Sequence, residues 1–179
     1  MTRADLLKLV LAAGATAAAT PVMAAPRRGG SLEERIAALE SRAEIQTLML
    51  DYGRTLDRRD FAAFASLWAA EAEYVQGKGA GAKGPAAIRA VLERAFAQNA
   101  AGVKEPNFHV FFNIAIGPVD GDRASAFSRS AFVAADAGGG LEVVIAAHYE
   151  DSFVREAGRW KFLRRVITAD GAPPRAPKT

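Results

Sequence analysis

Apolar residues recur at helical spacing over the first part of the chain and at strand spacing over the last, with the change near Asn107. Leu32, Ile36, Leu39, Ala43, Leu48, Tyr52 and Leu56 follow one another mostly at steps of three and four, and Ile45 and Leu50 widen the stripe. That spacing predicts one long amphipathic helix ending near Asp57. Ser31-Leu32-Glu33-Glu34 supplies its start as a capping box, in which the serine hydroxyl and the Glu34 carboxylate satisfy free N–H groups. Asp60 can cap a second, shorter helix carrying Phe61, Phe64, Leu67 and Trp68. A brief strand from Glu73 to Gln76, a Gly/Lys loop, and a third helix opened by Pro85 follow, the last with Ile88, Val91, Leu92, Ala95 and Phe96 on its apolar side.

Beyond Asn107 come runs rich in β-branched and aromatic residues: Phe108 to Ile116, Ala124 to Ala134, Leu141 to Val154 and Trp160 to Thr168. They predict four strands. The segments between them (118–122, 136–140 and 156–158) are short and turn-prone enough for hairpins. The order α-α-β-α-β-β-β-β implies an α+β fold in which a curved antiparallel sheet packs on three N-terminal helices. No internal repeat is visible.

The ends differ in composition from this body. Residues 1–24 read as a signal peptide: a short charged start with Arg3, Asp5 and Lys8, an apolar segment from Leu9 to about Ala19, and Val22-Met23-Ala24 as the cleavage signal. Residues 25–30 form a linker, 31–170 the folded domain, and 171–179, with three prolines, a loose tail. A periplasmic or secreted protein is expected, without a stable membrane span, since no apolar stretch in the body approaches the roughly 18 residues needed.

The chain of 179 residues has no cysteine, which excludes disulfides, thiolate zinc sites and a cysteine nucleophile, and its two histidines exclude a His-rich metal cluster. No metal and no cofactor are expected. The pI near 9.4 invites a nucleic-acid reading. Six of the 23 Lys and Arg and one of the 20 acids lie outside residues 31–170, which leaves 17 against 19 and a body charge of about −2. The basic balance belongs to the ends, no aromatic-interleaved basic stripe runs through the body, and nucleic acid is not an expected partner.

Few residues can carry chemistry. Alternation puts Phe111 and Asn113 on the face of His109 and turns Phe108, Val110 and Phe112 the other way. By itself His109 is either a core residue bonded to a backbone group or a base held in a dry pocket. Asp57 reads plainly as a solvated charge beside Arg58 and Arg59, and Tyr74 as a core ring with its hydroxyl at a pocket wall. His148 and Tyr149 are adjacent in a strand and so face opposite sides. The Gly-rich segment 77–84 lacks the Gly-Lys-Ser/Thr ending of a phosphate loop.

Taken in order, Ala43-Glu44-Ile45-Gln46-Thr47-Leu48, Leu56-Asp57-Arg58-Arg59-Asp60-Phe61, Leu67-Trp68, Glu73-Tyr74, Asn107-Phe108-His109, Tyr149 to Arg155 and Gly158-Arg159-Trp160-Lys161-Phe162 resemble a SnoaL-like protein of the nuclear transport factor 2 superfamily. The resemblance is in particular to the branch containing scytalone dehydratase and hexachlorocyclohexane dehydrochlorinase. It implies a cystatin-like cone with an apolar pocket, a homo-oligomer, and a pocket Asp at the helix end paired with a His on the sheet. Asp57 and His109 match those two, and Tyr74 matches a pocket tyrosine of the dehydratase. Leu56 departs from the dehydratase, which has a second tyrosine there, and Tyr52 from the dehydrochlorinase, which has a lysine.

The expected pocket is lined by Tyr52, Trp68, Phe111 and Asn113 and takes a small hydrophobic ligand. The expected activity is that of a lyase or isomerase, dehydratase-like, in which His109 removes a proton from carbon, Asp57 orients it, and Tyr74 donates a hydrogen bond to the leaving group or a developing oxyanion. The alternative is a non-catalytic exported binding protein for the same kind of ligand.

Overall fold

The computed structural model describes residues 30–77, 81–99 and 102–170, so the expected signal peptide, the tail and all of the linker but Gly30 lie outside the described residues. Helix α1 (Leu32–Asp57) opens on the capping box, Glu34 N–H donating to Ser31 Oγ at 3.2 Å and Ser31 N–H to Glu34 Oε2 at 2.8 Å. Its later turns bury Ile45, Leu48, Met49, Tyr52, Gly53 and Leu56, while Leu32, Ile36 and Leu39 stay exposed. The helix outruns the sheet that could cover its apolar stripe. Helix α2 (Phe61–Ser66) is capped by Asp60, whose Oδ1 accepts from Ala63 N–H at 2.9 Å.

Strand β1 (Trp68–Gln76) begins earlier than its sequence suggests, taking Trp68 out of the expected second helix. The reason is tertiary: Phe162 N–H donates to Leu67 O at 3.0 Å and Trp68 pairs with Phe162, so the sheet captures the chain as soon as α2 ends. The two-residue β2 (Ala82–Lys83) pairs back on β1, and α3 (Pro85–Gln98) starts on its proline. Strands β3 (Lys104–Ile116), β4 (Arg123–Ala135), β5 (Leu141–Glu156) and β6 (Arg159–Ala169) complete a six-stranded sheet of order β2-β1-β6-β5-β4-β3.

From β3 to β6 the pairing is antiparallel, as expected, but β1 lies parallel to β6, so the sheet is mixed. A parallel pair needs a crossover between its strands. Here that crossover is everything from β2 to β5, and local periodicity carries no trace of it.

The register arranges the inner face in rows. At one end Trp68, Phe162, Phe153 and Ala124 sit side by side, next come Tyr74, Arg165, Asp151 and Ala126, and toward the other end lie Phe111, Ser130 and Ala147 and then His109, Phe132 and Ile145. Helix α1 crosses these rows and comes close to β3 at Gly53, where a Cβ would meet Phe111 Cε2 at 2.9 Å and His109 Cβ at 3.2 Å. The Phe111 ring is hemmed in by Tyr52 and Tyr149, with centroids at 6.2 and 5.6 Å, and cannot swing aside. Gly53→Ala is therefore expected to destabilise by about 1–3 kcal/mol through overpacking, outweighing a helix-propensity gain of up to ~1 kcal/mol. A thermal melt at or above wild type would count against that close packing.

Candidate active site

Asp57 ends α1, and His109 lies on β3, the edge strand of the sheet. An edge strand leaves alternate N–H groups without a neighbour. The His109 N–H is one of these, and it donates to both carboxylate oxygens of Asp57, at 3.1 and 3.2 Å. The His109 ring closes on the same carboxylate, with Nδ1 2.6 Å from Oδ1. The helix end thus satisfies an edge donor and grips the imidazole at once.

A carboxylate only accepts, so a neutral His109 carries its proton on Nδ1 and presents Nε2 as the acceptor. Nε2 has no hydrogen-bond partner among the described residues and is not one of the buried unpartnered atoms. It therefore faces space that water or a ligand reaches, consistent with side-chain exposures of 11% for His109 and 23% for Asp57. Tyr52 stands edge-on to the imidazole at 6.3 Å, Phe111 is nearly parallel at 6.5 Å, and Phe132 lies at 4.8 Å. From Phe132 the wall runs outward to Phe96 at 6.4 Å and on to Phe61 at 6.0 Å, all three half-buried. The reachable surface beside the base is aromatic.

Deeper in the cone lies a buried ion pair. Arg165 donates from Nε and Nη2 to the two oxygens of Asp151, both at 2.7 Å, and neither side chain is exposed (0% each). The guanidinium carbon lies 4.0 Å from the Tyr52 ring centre, 4.4 Å from Phe162 and 4.5 Å from Tyr149. Its Nη1 has no partner among the described residues. Burial pushes the Asp151 carboxyl up, opposed by the guanidinium. Burial works against the charge on Arg165, yet Asp151, aided by Tyr52 and Tyr149, outweighs it and raises its pKa. Burial also raises Tyr52 and Tyr149 and takes Tyr74 to about 12, so all three tyrosines of the chain stay neutral hydrogen-bonding groups.

The structure brings Asp57, His109, Tyr52 and Phe111 together and sets the other expected site residues apart. Trp68 is buried one ring further in, 6.3 Å from Tyr52. Tyr74 is deeper still, against Trp68 at 5.8 Å, with its hydroxyl 3.5 Å from Gln76 Oε1. On β4 its row is three rows from that of His109, so any influence on the dyad passes through Tyr52. Asn113 leaves the pocket face altogether. A bulge between Phe112 and Ala115 breaks the alternation, and Asn113 takes a left-handed φ of 51° and is exposed.

Arg165 escapes sequence reading for a related reason, whereas Asp151 keeps the alternation of Ala147, Tyr149 and Phe153 on β5 and points inward as that period requires. Strict alternation from Trp160 and Phe162 would turn Arg164 inward, but the extra residue Leu163 on β6, opposite the step from Ser152 to Phe153, reverses the parity and brings in Arg165. His148, on the outward face opposite Tyr149, pairs Nδ1 with Asp170 Oδ1 at 2.6 Å, and Arg129 bonds the other oxygen at 2.5 Å. A groove of about 550 Å³ between α1 and the start of β6 contains neither dyad residue. Among the described residues no group of three His, Asp or Glu side chains is placed to hold a metal ion, and no helix is long and apolar enough to cross a membrane.

A model of the SnoaL-like domain matches residues 37–166, a span that includes the dyad, the ion pair and the sheet up to the last residues of β6. The chain belongs to the SnoaL-like family. No curated protein matches it. Among solved structures, this SnoaL-like chain is similar to an NTF2-like protein with a cystatin-like fold from Novosphingobium aromaticivorans, at 29% identity and a TM-score of 0.69 over 79% of this chain and 90% of that one. It is also similar to a candidate scytalone dehydratase from the same organism (22%, TM-score 0.63, 76% and 89% covered). A third is a hexachlorocyclohexane dehydrochlorinase, LinA type 2 (24%, TM-score 0.63, 80% and 95% covered). The last two likenesses establish the fold alone.

Proposed function

We propose that this SnoaL-like protein is a lyase or isomerase that begins its reaction by taking a proton from a carbon of a small apolar molecule. One observation carries the reading: His109 is held by Asp57 at 2.6 Å with Nε2 directed to reachable space. Nε2 accepts the proton, and Asp57 keeps the tautomer and stabilises the imidazolium that forms. The electron pair left on carbon either expels a group from the neighbouring carbon or is reprotonated elsewhere. The aromatic wall of Phe61, Phe96 and Phe132 suits an apolar substrate. The Nη1 donor of Arg165, without a partner among the described residues and set in a guanidinium that lies over the Tyr52 ring, is a cationic N–H for charge developing deeper in the site, with Tyr74 acting only by way of Tyr52. The proposed setting is the periplasm or the cell exterior, a reading that rests on the N-terminal sequence.

The test is solvent exchange. Molecules retained by the purified protein from a metabolite mixture are incubated with it in D₂O, and the expected result is deuterium at one carbon, or product, with wild type and not with His109→Ala. The second reading, a non-catalytic binder, draws on the mutual packing of Tyr52, Phe111, Tyr149 and Phe162, which fills the interior with side chains. A binder would return its ligand with no deuterium gained, and that outcome would overturn the enzyme reading.

A homo-oligomer through the outward sheet face is part of the proposal. Val110, Phe112, Phe127 and Val143 are exposed there, and the charges of Arg129 and Asp170 are paired with each other and with His148. Light scattering at micromolar concentration is expected to give more than a monomer's mass, and Val110→Glu to lower it. A wild-type monomer throughout the range would refute this surface as an interface.

A further inference from the structure

Arg59 joins the two segments that carry the dyad. It lies two residues after Asp57, and Asn107 lies two residues before His109, so the 2.7 Å hydrogen bond from Arg59 Nη2 to Asn107 Oδ1 forms a second rung beside the Asp57–His109 pair. Arg59 has φ 59°, a left-handed conformation uncommon outside glycine and asparagine, and this turn folds its side chain back over the helix end. There Nη1 donates to Leu56 O at 2.7 Å, one of the last carbonyls of α1, which also accepts from the Arg59 backbone N–H at 3.0 Å. Nη2 also lies 3.3 Å from Glu105 Oε1, and Asn107, itself buried, is fixed by donating to Glu105 Oε1 at 3.0 Å and Lys104 O at 3.2 Å.

The same guanidinium stacks 4.1 Å over the ring of Phe96 on α3, and Phe96 leads through Phe132 to the imidazole. One side chain therefore touches the helix end bearing the carboxylate, the strand bearing the base, and the helix that walls the approach to it.

We propose that Arg59 is a positioning residue that holds the Asp57 carboxylate against His109, and that its stacking on Phe96 makes this alignment depend on the position of α3. The inference rests on the reading of Asp57 and His109 as a working pair. Displacement of Phe96 by an incoming ligand would then loosen or reset the dyad, which ties its geometry to occupancy of the site.

The experiment needs no substrate. In the full chain the Nδ1-bound proton of each histidine is followed by proton and long-range nitrogen NMR, the two being assigned with His109→Ala and His148→Ala. The outward His148–Asp170 pair, also 2.6 Å long, serves as an internal reference in every spectrum. Arg59→Ala is expected to lose the His109 resonance to exchange while leaving that of His148 in place. Arg59→Lys, which keeps a charge at the helix end but cannot fork between Leu56 and Asn107, is expected to restore it only in part. Phe96→Leu is expected to broaden it.

Arg42→Ala is the control, because Arg42 ties the same helix to the far end of the same strand through Ile116 O at 2.8 Å and Gly117 O at 3.0 Å. It is expected to lower the melting temperature and spare the signal. An intact His109 resonance in Arg59→Ala, or its equal loss in Arg42→Ala, would overturn the positioning role, and an unchanged line in Phe96→Leu would overturn the coupling to α3. None of these outcomes depends on turnover, so the role of Arg59 and the role of His109 as a base can fail separately.

Discussion

Replacing His109 by Ala, or Asp57 by Asn, is expected to lower turnover of any substrate found by about 10²-fold or more while the protein stays folded. For His109→Ala the loss is that of the base itself. The ring is 11% exposed and packed on one side by Phe132, so its removal leaves a gap that water can enter and costs some stability without undoing the fold. Asp57→Asn keeps the shape of the side chain and alters its bonding. Both oxygens of Asp57 now accept from the His109 N–H, and Oδ1 accepts from Nδ1 as well. An amide turns one of those acceptors into a donor that faces the backbone N–H, and it removes the negative charge beside the imidazolium formed on proton capture. Steady-state kinetics on both variants, with thermal melts beside them, check the expectation. Near-normal turnover in both would remove His109 from the chemistry.

How much of this was legible in the sequence depends on whether each feature is local. The capping box at Ser31, the helix end at Asp57, the cap at Asp60 and the start at Pro85 are read from a few adjacent residues, and all four stand where the sequence puts them. The opposite facing of His148 and Tyr149 follows from strand geometry over two residues. Strict alternation misplaces Asn113 and hides Arg165 because a single extra residue in a strand reverses which side chains point inward, and nothing in the composition near Phe112 or Leu163 announces the shift. The pairing of β1 with β6 and the capture of Trp68 by Phe162 join residues far apart in sequence. Only family likeness joins Asp57 to His109 at the level of sequence, since the residues alone equally fit a solvated Asp57 and a core His109. Arg59 was passed over as part of that solvated cluster, because a left-handed turn at a non-glycine residue leaves no sequence mark.

Arg165→Met is expected to destabilise the fold by about 3–5 kcal/mol at neutral pH, because it leaves the Asp151 charge buried without its partner. Both side chains are fully enclosed, and Asp151 draws its two hydrogen bonds from Arg165. The effect depends on pH with a definite sign. Burial already raises the Asp151 pKa against the opposing guanidinium, and removing the guanidinium raises it further. A carboxyl whose folded pKa lies above its unfolded value favours folding below the unfolded value and loses that contribution as pH rises through the folded one. Urea titrations of Arg165→Met are therefore expected to show a smaller deficit from wild type in mild acid than at neutrality. Removing both charges, as Asp151→Leu with Arg165→Met, is expected to recover most of the stability, since an apolar pair of similar volume carries no desolvation cost. That double variant separates two roles for the arginine. If the unpartnered Nη1 donor serves the reaction, the double variant folds near wild-type stability yet turns over slowly, whereas wild-type turnover in it would leave Arg165 only a counterion to Asp151. A deficit in Arg165→Met that is absent at neutral pH, or that grows in acid, would contradict the burial of an ionised pair at this position.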